Sequence, residues 1–204
     1  NLAVFTLPST PELKIFRLGI SKNARYSMYA TTTVTLSNVS KLEELDLFGM
    51  SALTSISGIT SVDKLVTCDI SKTKLTNLSF LNGCQNLESF YAEQTSLENI
   101  SFLASNTKLK SINISNTNLG KSKDAIAGEG GTVTVLAKNA TSNVLSTVLN
   151  NNMELKSFKA ENCNFFVYPS YLQANTKIST LFLKGCDNIP ASEIALLKTA
   201  LTKL

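Results

Sequence analysis

The chain of 204 residues has no histidine and no tryptophan, and its four cysteines form no CxxC pair. Without histidine the commonest general base and the commonest zinc ligand are both missing, so a metal site would have to gather all four cysteines from distant positions. No GxSxG elbow and no Cys/His pair is present to support nucleophilic catalysis. No apolar run approaches the roughly 18 residues that a membrane span requires. With 19 Lys and Arg against 15 Asp and Glu, and no long run of one sign, the charge pattern excludes a polyanion-binding tail. The Gly128–Gly131 stretch GEGG lacks the Lys and Ser/Thr that follow in a phosphate-binding loop, and it reads as a connection between repeats. Glu43 and Glu44 adjoin in sequence and point to opposite faces of a strand, so they do not converge as an acid/base pair. Catalysis is therefore not expected, and neither a cofactor nor a metal.

What the chain does have is 43% hydrophobic residues, enough for a sizeable core. It also has a neutral polar coat in which Ser, Thr and Asn make up about a third of the residues, well above the usual share. Such a coat suits an exported protein. The start at Asn1 rather than at methionine fits the removal of a leading signal or anchor segment. Sequons at Asn38, Asn77, Asn99, Asn113 and Asn139 are expected by chance in so Asn- and Ser-rich a chain.

The strongest signal is internal repetition. A skeleton of the form LxxLxL begins at Leu42, Leu65, Leu87, Leu109, Thr132, Leu155 and Ile178, at spacings of 23, 22, 22, 23, 23 and 23 residues. An earlier copy at Leu13 precedes the next by 29 residues, and Tyr26 to Leu36, rich in β-branched and aromatic residues, reads as an extra strand within that longer interval. A second rhythm follows in three copies: Leu53, Ile56 and Ile59, then Leu75, Leu78 and Leu81, then Leu97, Ile100 and Leu103.

These units resemble the leucine-rich repeat family, in particular the short internalin-like class. The segment from Phe80 to Leu87, with Cys84 three residues before the repeat leucine, is similar to BspA-like bacterial surface repeats. The resemblance runs from about Leu13 to Ile189. It implies an α/β leucine-rich-repeat solenoid: a right-handed coil with a concave parallel β-sheet, convex loops and short helices, and a C-terminal capping helix. The chain then reads as one domain, with an N-terminal cap and irregular first repeat over 1–41, regular repeats over 42–189 and the cap over 190–204.

Stacked coils would place Leu45, Cys68, Phe90 and Ile112 side by side in a buried row, since alternate residues of a strand face opposite sides. The position after LxLxx, usually Asn in this family, is here Met50, Thr73, Thr95, Thr117, Ala140, Cys163 and Cys186. That substitution predicts a turn satisfied more by backbone or water than by a side-chain ladder, and weakest at Ala140. Cys163 and Cys186 fall in adjacent coils within disulfide reach, with buried free thiols the favoured alternative. The segment from Pro190 reads as an amphipathic capping helix through Ile194, Leu197, Leu201 and Leu204, Leu2 to Leu7 as a cover for the other end, and Ser142 to Leu149 as a short convex helix.

The functional expectation rests on the outward residues of the sheet. One column would run Arg17, Asp46, Asp69, Tyr91, Asn113, Leu136, Lys159 and Phe182, and the next Gly19, Phe48, Ser71, Glu93, Ser115, Lys138, Glu161 and Lys184. Acidic groups gather toward the N-terminal coils, including Glu44, and Lys138, Lys159 and Lys184 toward the C-terminal ones. Phe48, Tyr91 and Phe182 interrupt the polar field as exposed aromatic anchors. The partner-binding set is thus Arg17, Asp46, Phe48, Asp69, Tyr91, Glu93, Asn113, Lys138, Lys159, Phe182 and Lys184. The resemblance implies a monomeric, non-enzymatic module on a bacterial surface that grips a protein or a glycan, with no nucleic acid and no membrane span. The alternative is a spacer or assembly segment of a larger adhesin.

Overall fold

A computed structural model describes residues 3–19, 30–97, 100–103, 106–117, 154–163, 172–173, 175–187 and 189–201. Among the described residues ten strands, all paired in parallel, fall into two sheets. β2 (Ile15–Arg17), β4 (Glu44–Asp46), β6 (Thr67–Asp69), β7 (Ser89–Tyr91), β8 (Ser111–Asn113), β9 (Ser157–Lys159) and β10 (Thr180–Phe182) lie side by side in that order in a seven-stranded sheet. β1 (Val4–Leu7), β3 (Thr33–Leu36) and β5 (Ser55–Ser57) form a second sheet. The chain alternates between the two sheets through the first three coils. Beyond them the second position is held by the 3-10 turns η1 (Ser79–Leu81) and η2 (Ser101–Leu103).

The three-residue strands turn their central side chain inward, fully buried in β2, β4 and β6 to β9 and half-buried in β5 and β10, and parallel register aligns these centres from coil to coil. Phe16 pairs with Leu45, Leu45 with Cys68, Cys68 with Phe90 and Phe90 with Ile112. Leu45, Cys68, Phe90 and Ile112 are all 0% exposed, so the predicted row is present. The first skeleton positions Leu42, Leu65, Leu87, Leu109, Leu155 and Ile178 stack in a second buried row. Burying one such side chain stabilises by about 1.5–3 kcal/mol, and no single coil could bury its own without neighbours.

The sequence predicts a coil beginning at Thr132 between those of β8 and β9. β8 pairs directly with β9, Ser111 with Ser157, Ile112 with Phe158 and Asn113 with Lys159. The Ile114 N–H donates to the Lys159 carbonyl at 2.8 Å, and Asn162 Nδ2 donates to Asn116 Oδ1, 46 residues away, at 2.8 Å. Among the described residues the row of buried centres thus runs from Ile112 straight to Phe158. Residues 118–153, including GEGG, Ala140 and the helix expected at Ser142–Leu149, lie outside the described residues.

The ladder after LxLxx also differs from expectation. Thr73, Thr95 and Thr117 each donate from Oγ1 to the carbonyl three residues back, Ile70, Ala92 and Ile114, at 2.7, 2.9 and 2.8 Å. Cys163 Sγ reaches the preceding coil's Ile114 carbonyl at 3.1 Å, and Cys186 Sγ the Ala160 carbonyl at 2.7 Å. Hydroxyls with short reach close their own coil, and thiols with a longer C–S bond tie one coil to the last. Both cysteines are free thiols, so the disulfide alternative is not realised. The turn position just before the ladder residue takes a positive φ in every described coil from the second on, at Gly49, Lys72, Gln94, Asn116, Asn162 and Gly185. Glycine suits Gly185, where φ is 72° and a Cβ would come within 2.0 Å of Asn162 Oδ1, so that side chain would have to move.

At the N-terminus, Val4–Leu7 is not a separate lid but the first strand of the second sheet, pairing with β3 in register, and Phe5 meets Phe16 at 5.8 Å between ring centroids. The extra strand expected within Tyr26–Leu36 is β3, which occupies its last four residues. At the other end α1 (Ala191–Ala200) begins after Pro190 at the N-cap and buries Leu197 and, just past its end, Leu201 against the last coil.

Candidate functional site

The outer face of the seven-stranded sheet brings the predicted residues together in two columns. Strand pairing places Arg17, Asp46, Asp69, Tyr91, Asn113, Lys159 and Phe182 in one file. The adjoining file is tied by backbone bonds that carry Phe48, Ser71, Glu93, Ser115, Glu161 and Lys184 from coil to coil. Lys138 was expected between Ser115 and Glu161. The Glu161 N–H donates to Ser115 Oγ at 3.1 Å, so Glu161 follows Ser115 directly along the described file. Lys138 itself lies outside the described residues, as does Leu136.

The side chains are partly committed to the fold. Asp46, Asp69 and Asn113 each use Oδ1 to accept the N–H two residues on, at 2.9, 2.8 and 3.1 Å, which caps the turn leaving the strand. Arg17 Nη2 donates to Glu44 Oε2 at 2.8 Å, and this pair holds the Glu44 carboxyl below its usual range. Asn113 Nδ2 reaches Glu93 Oε2 at 3.4 Å. Asp69 is held further by the Ser71 side chain.

Phe48 and Tyr91, expected to be exposed, are half-buried, whereas Phe182 is 43% exposed. Phe48 lies under the ammonium of Lys72 at 5.1 Å from the ring centroid, and Phe182 under that of Lys159 at 4.9 Å. Amphipathic lysines thus cover rings that would otherwise meet water, each contact contributing about 0.5–1 kcal/mol at an exposed site.

A third column was missed by sequence reasoning. Thr67, Ser89, Ser111, Ser157 and Thr180 align in register along the face. The signal was present, since the residue just before the second apolar position of the skeleton is Ser or Thr in each of these five coils. This hydroxyl file borders the charged one and keeps the middle of the face polar without adding charge.

Asp69 is the group whose titration the face perturbs most plainly. Burial is the main cause and raises its pKa above the usual aspartate value, with the nearby Asp46 and Glu93 adding to the rise and the bonds from Ser71 opposing it. A raised folded-state pKa contributes stability that is complete below the unfolded value and lost as pH climbs through the folded one. Asp69→Asn, which keeps Oδ1 for the Ser71 N–H, is therefore expected to raise the melting temperature at pH 7. The gain should fade as pH falls below the ordinary carboxylate range; thermal denaturation of both chains across pH 3 to 8 checks this.

The cysteines are poor nucleophiles. All four are buried, and burial raises each thiol, Cys186 to about 11, so little thiolate exists at neutral pH. Among the described residues no group of three or more His, Cys, Asp or Glu is arranged to hold a metal ion, and no helix is long and apolar enough to cross a membrane.

No family model and no curated protein matches this chain. Solved structures do. An internalin C2 from Listeria monocytogenes aligns over 87% of this chain and 70% of its own at 17% identity, with a TM-score of 0.51. InlJ from the same species, whose functional domain includes a cysteine ladder, aligns over 85% of this chain at 19% identity with a TM-score of 0.55. The chain spans only 36% of that InlJ structure. The fold is thus an internalin-like leucine-rich-repeat solenoid of the α/β class with a C-terminal capping helix.

Proposed function

We propose that this chain is a non-enzymatic protein-binding module of an exported bacterial surface protein, and that it recognises its partner on the outer face of the seven-stranded sheet. The observation that carries this reading is the registered file from Asp46 and Asp69, through Tyr91 and Asn113, to Lys159 and Phe182. It presents acid, aromatic, amide and base in fixed order on a rigid surface. Such an array suits a protein of complementary polarity better than a neutral sugar, because opposed charge patterns orient the encounter and penalise wrong partners. The stacked backbone fixes these side chains in advance, which lowers the ordering cost of association. Monomeric action and display at a cell surface belong to the same proposal, supported by the fold shared with internalin C2 and InlJ.

The test uses a partner captured from extracellular-matrix and cell-surface extracts, purified, and titrated against wild type, Tyr91→Ala and Asp69→Lys. Each substitution is expected to weaken binding at least tenfold, the scale of a hot-spot loss, while circular dichroism stays unchanged. Undiminished binding by both variants would move the ligand site elsewhere and favour the spacer reading.

A further inference from the structure

The side of the solenoid away from the proposed binding face carries a cleft of about 340 Å³ between the third and fourth coils. Its origin is a change of local structure. β1, β3 and β5 stack as parallel strands, but the next coil places η1 where a fourth strand would go, so the edge of β5 turned toward η1 has no strand partner among the described residues. A local side chain sets the switch: Asn77 Oδ1 accepts the Ser79 N–H at 2.9 Å, drawing the backbone into a turn before it can extend. The hollow left between the two coils is the cleft.

Its chemistry is specific in sign. The floor is apolar, made by half-buried Ile56, Ile59 and Phe80. The rim carries hydroxyls and amides, among them Thr60, Asn77 and Asn82, together with the carboxylate of Asp63. No lysine or arginine lines it. A site without a cation and with a carboxylate disfavours phosphates, sulfates and acidic peptides. Apolar side chains beside amides and a carboxylate suit a sugar unit, whose C–H face would pack on Phe80 and Ile56 while its hydroxyls bond to Asp63 and Asn82. The volume lies within the usual range for small-ligand sites, roughly 300–1,000 Å³. The backbone at Asp63 is anchored, since its main-chain carbonyl accepts from Asn86 Nδ2 of the next coil at 2.6 Å.

We infer that this cleft is a carbohydrate-binding site for a neutral mono- or disaccharide unit, separate from the sheet face. Saturation-transfer NMR on the whole chain, with maltose, cellobiose, lactose and N,N′-diacetylchitobiose as probes, tests it. At least one disaccharide is expected to receive saturation. Asp63→Ala and Asn82→Ala, both at exposed positions, should weaken its binding at least fivefold, and Tyr91→Ala should leave it unchanged. Transfer to none of the four sugars, or transfer insensitive to both cleft variants, overturns the inference. So does capture of an extended Val/Thr peptide, able to pair with the free edge of β5, in the absence of any sugar signal.

Discussion

Phe90→Ala is expected to lower the unfolding free energy by about 3–5 kcal/mol, the range for removing a fully buried phenylalanine and leaving a cavity. Phe90 is 0% exposed, in register between Cys68 and Ile112, and its ring meets Phe102 edge-on at 5.7 Å between centroids. The loss is large because the ring serves three coils together with the turn behind it. In a solenoid stability is close to a sum of coil terms and interfaces between neighbours, so a mid-stack hole weakens two interfaces at once. Phe182→Ala, at the end of the sheet with the ring 43% exposed, should cost under about 1 kcal/mol. Urea denaturation of the two variants beside wild type separates these values, and equal losses would contradict a core centred on the middle strands.

Asn106→Leu should act in the opposite direction, stabilising by about 1–3 kcal/mol, the desolvation cost of a buried polar group left without a bond. Asn106 is 0% exposed, and neither Oδ1 nor Nδ2 finds a partner among the described residues. It stands three residues before the repeat leucine, a position that earlier coils fill with Val39, Val62 and Cys84, all buried. Leucine has the same branched side-chain skeleton and removes both unmet groups. The same urea titration reads the result; a lower midpoint in the variant would show that the amide is needed where it stands.

The repeat period made most of this architecture legible. Regular 22- and 23-residue spacing between Leu42 and Leu109 sets the register of β4 through β8, because any slip of one residue would turn the buried row to solvent. The period also places a repeat at Thr132 between Leu109 and Leu155, and spacing alone did not foresee the direct junction of Ile112 with Phe158. The charge order of the face changes with that junction, since Glu161 follows Ser115 along the file.

The opposite side of the coil was less readable. Ser55-Ile56-Ser57 extends as β5, while Asn77-Leu78-Ser79 turns into η1 with nearly the same apolar rhythm, and the difference lies in one side-chain bond from Asn77 that no periodicity reports. Likewise the Thr and Cys ladder depended on which carbonyl each hydroxyl or thiol could reach, a matter of bond length and backbone direction. The hydroxyl column was written plainly in the sequence, but small polar residues carry little weight in a search for charged and aromatic anchors.

The direct junction between β8 and β9 sets the order of the whole binding face, and nuclear Overhauser contacts on a sample labelled at isoleucine methyls and phenylalanine rings test it most directly. Cross-peaks between the Ile112 methyls and the Phe158 ring are predicted, alongside those joining Ile112 to Phe90. Contacts from Ile112 to the methyls of Val135, with none to Phe158, would contradict it.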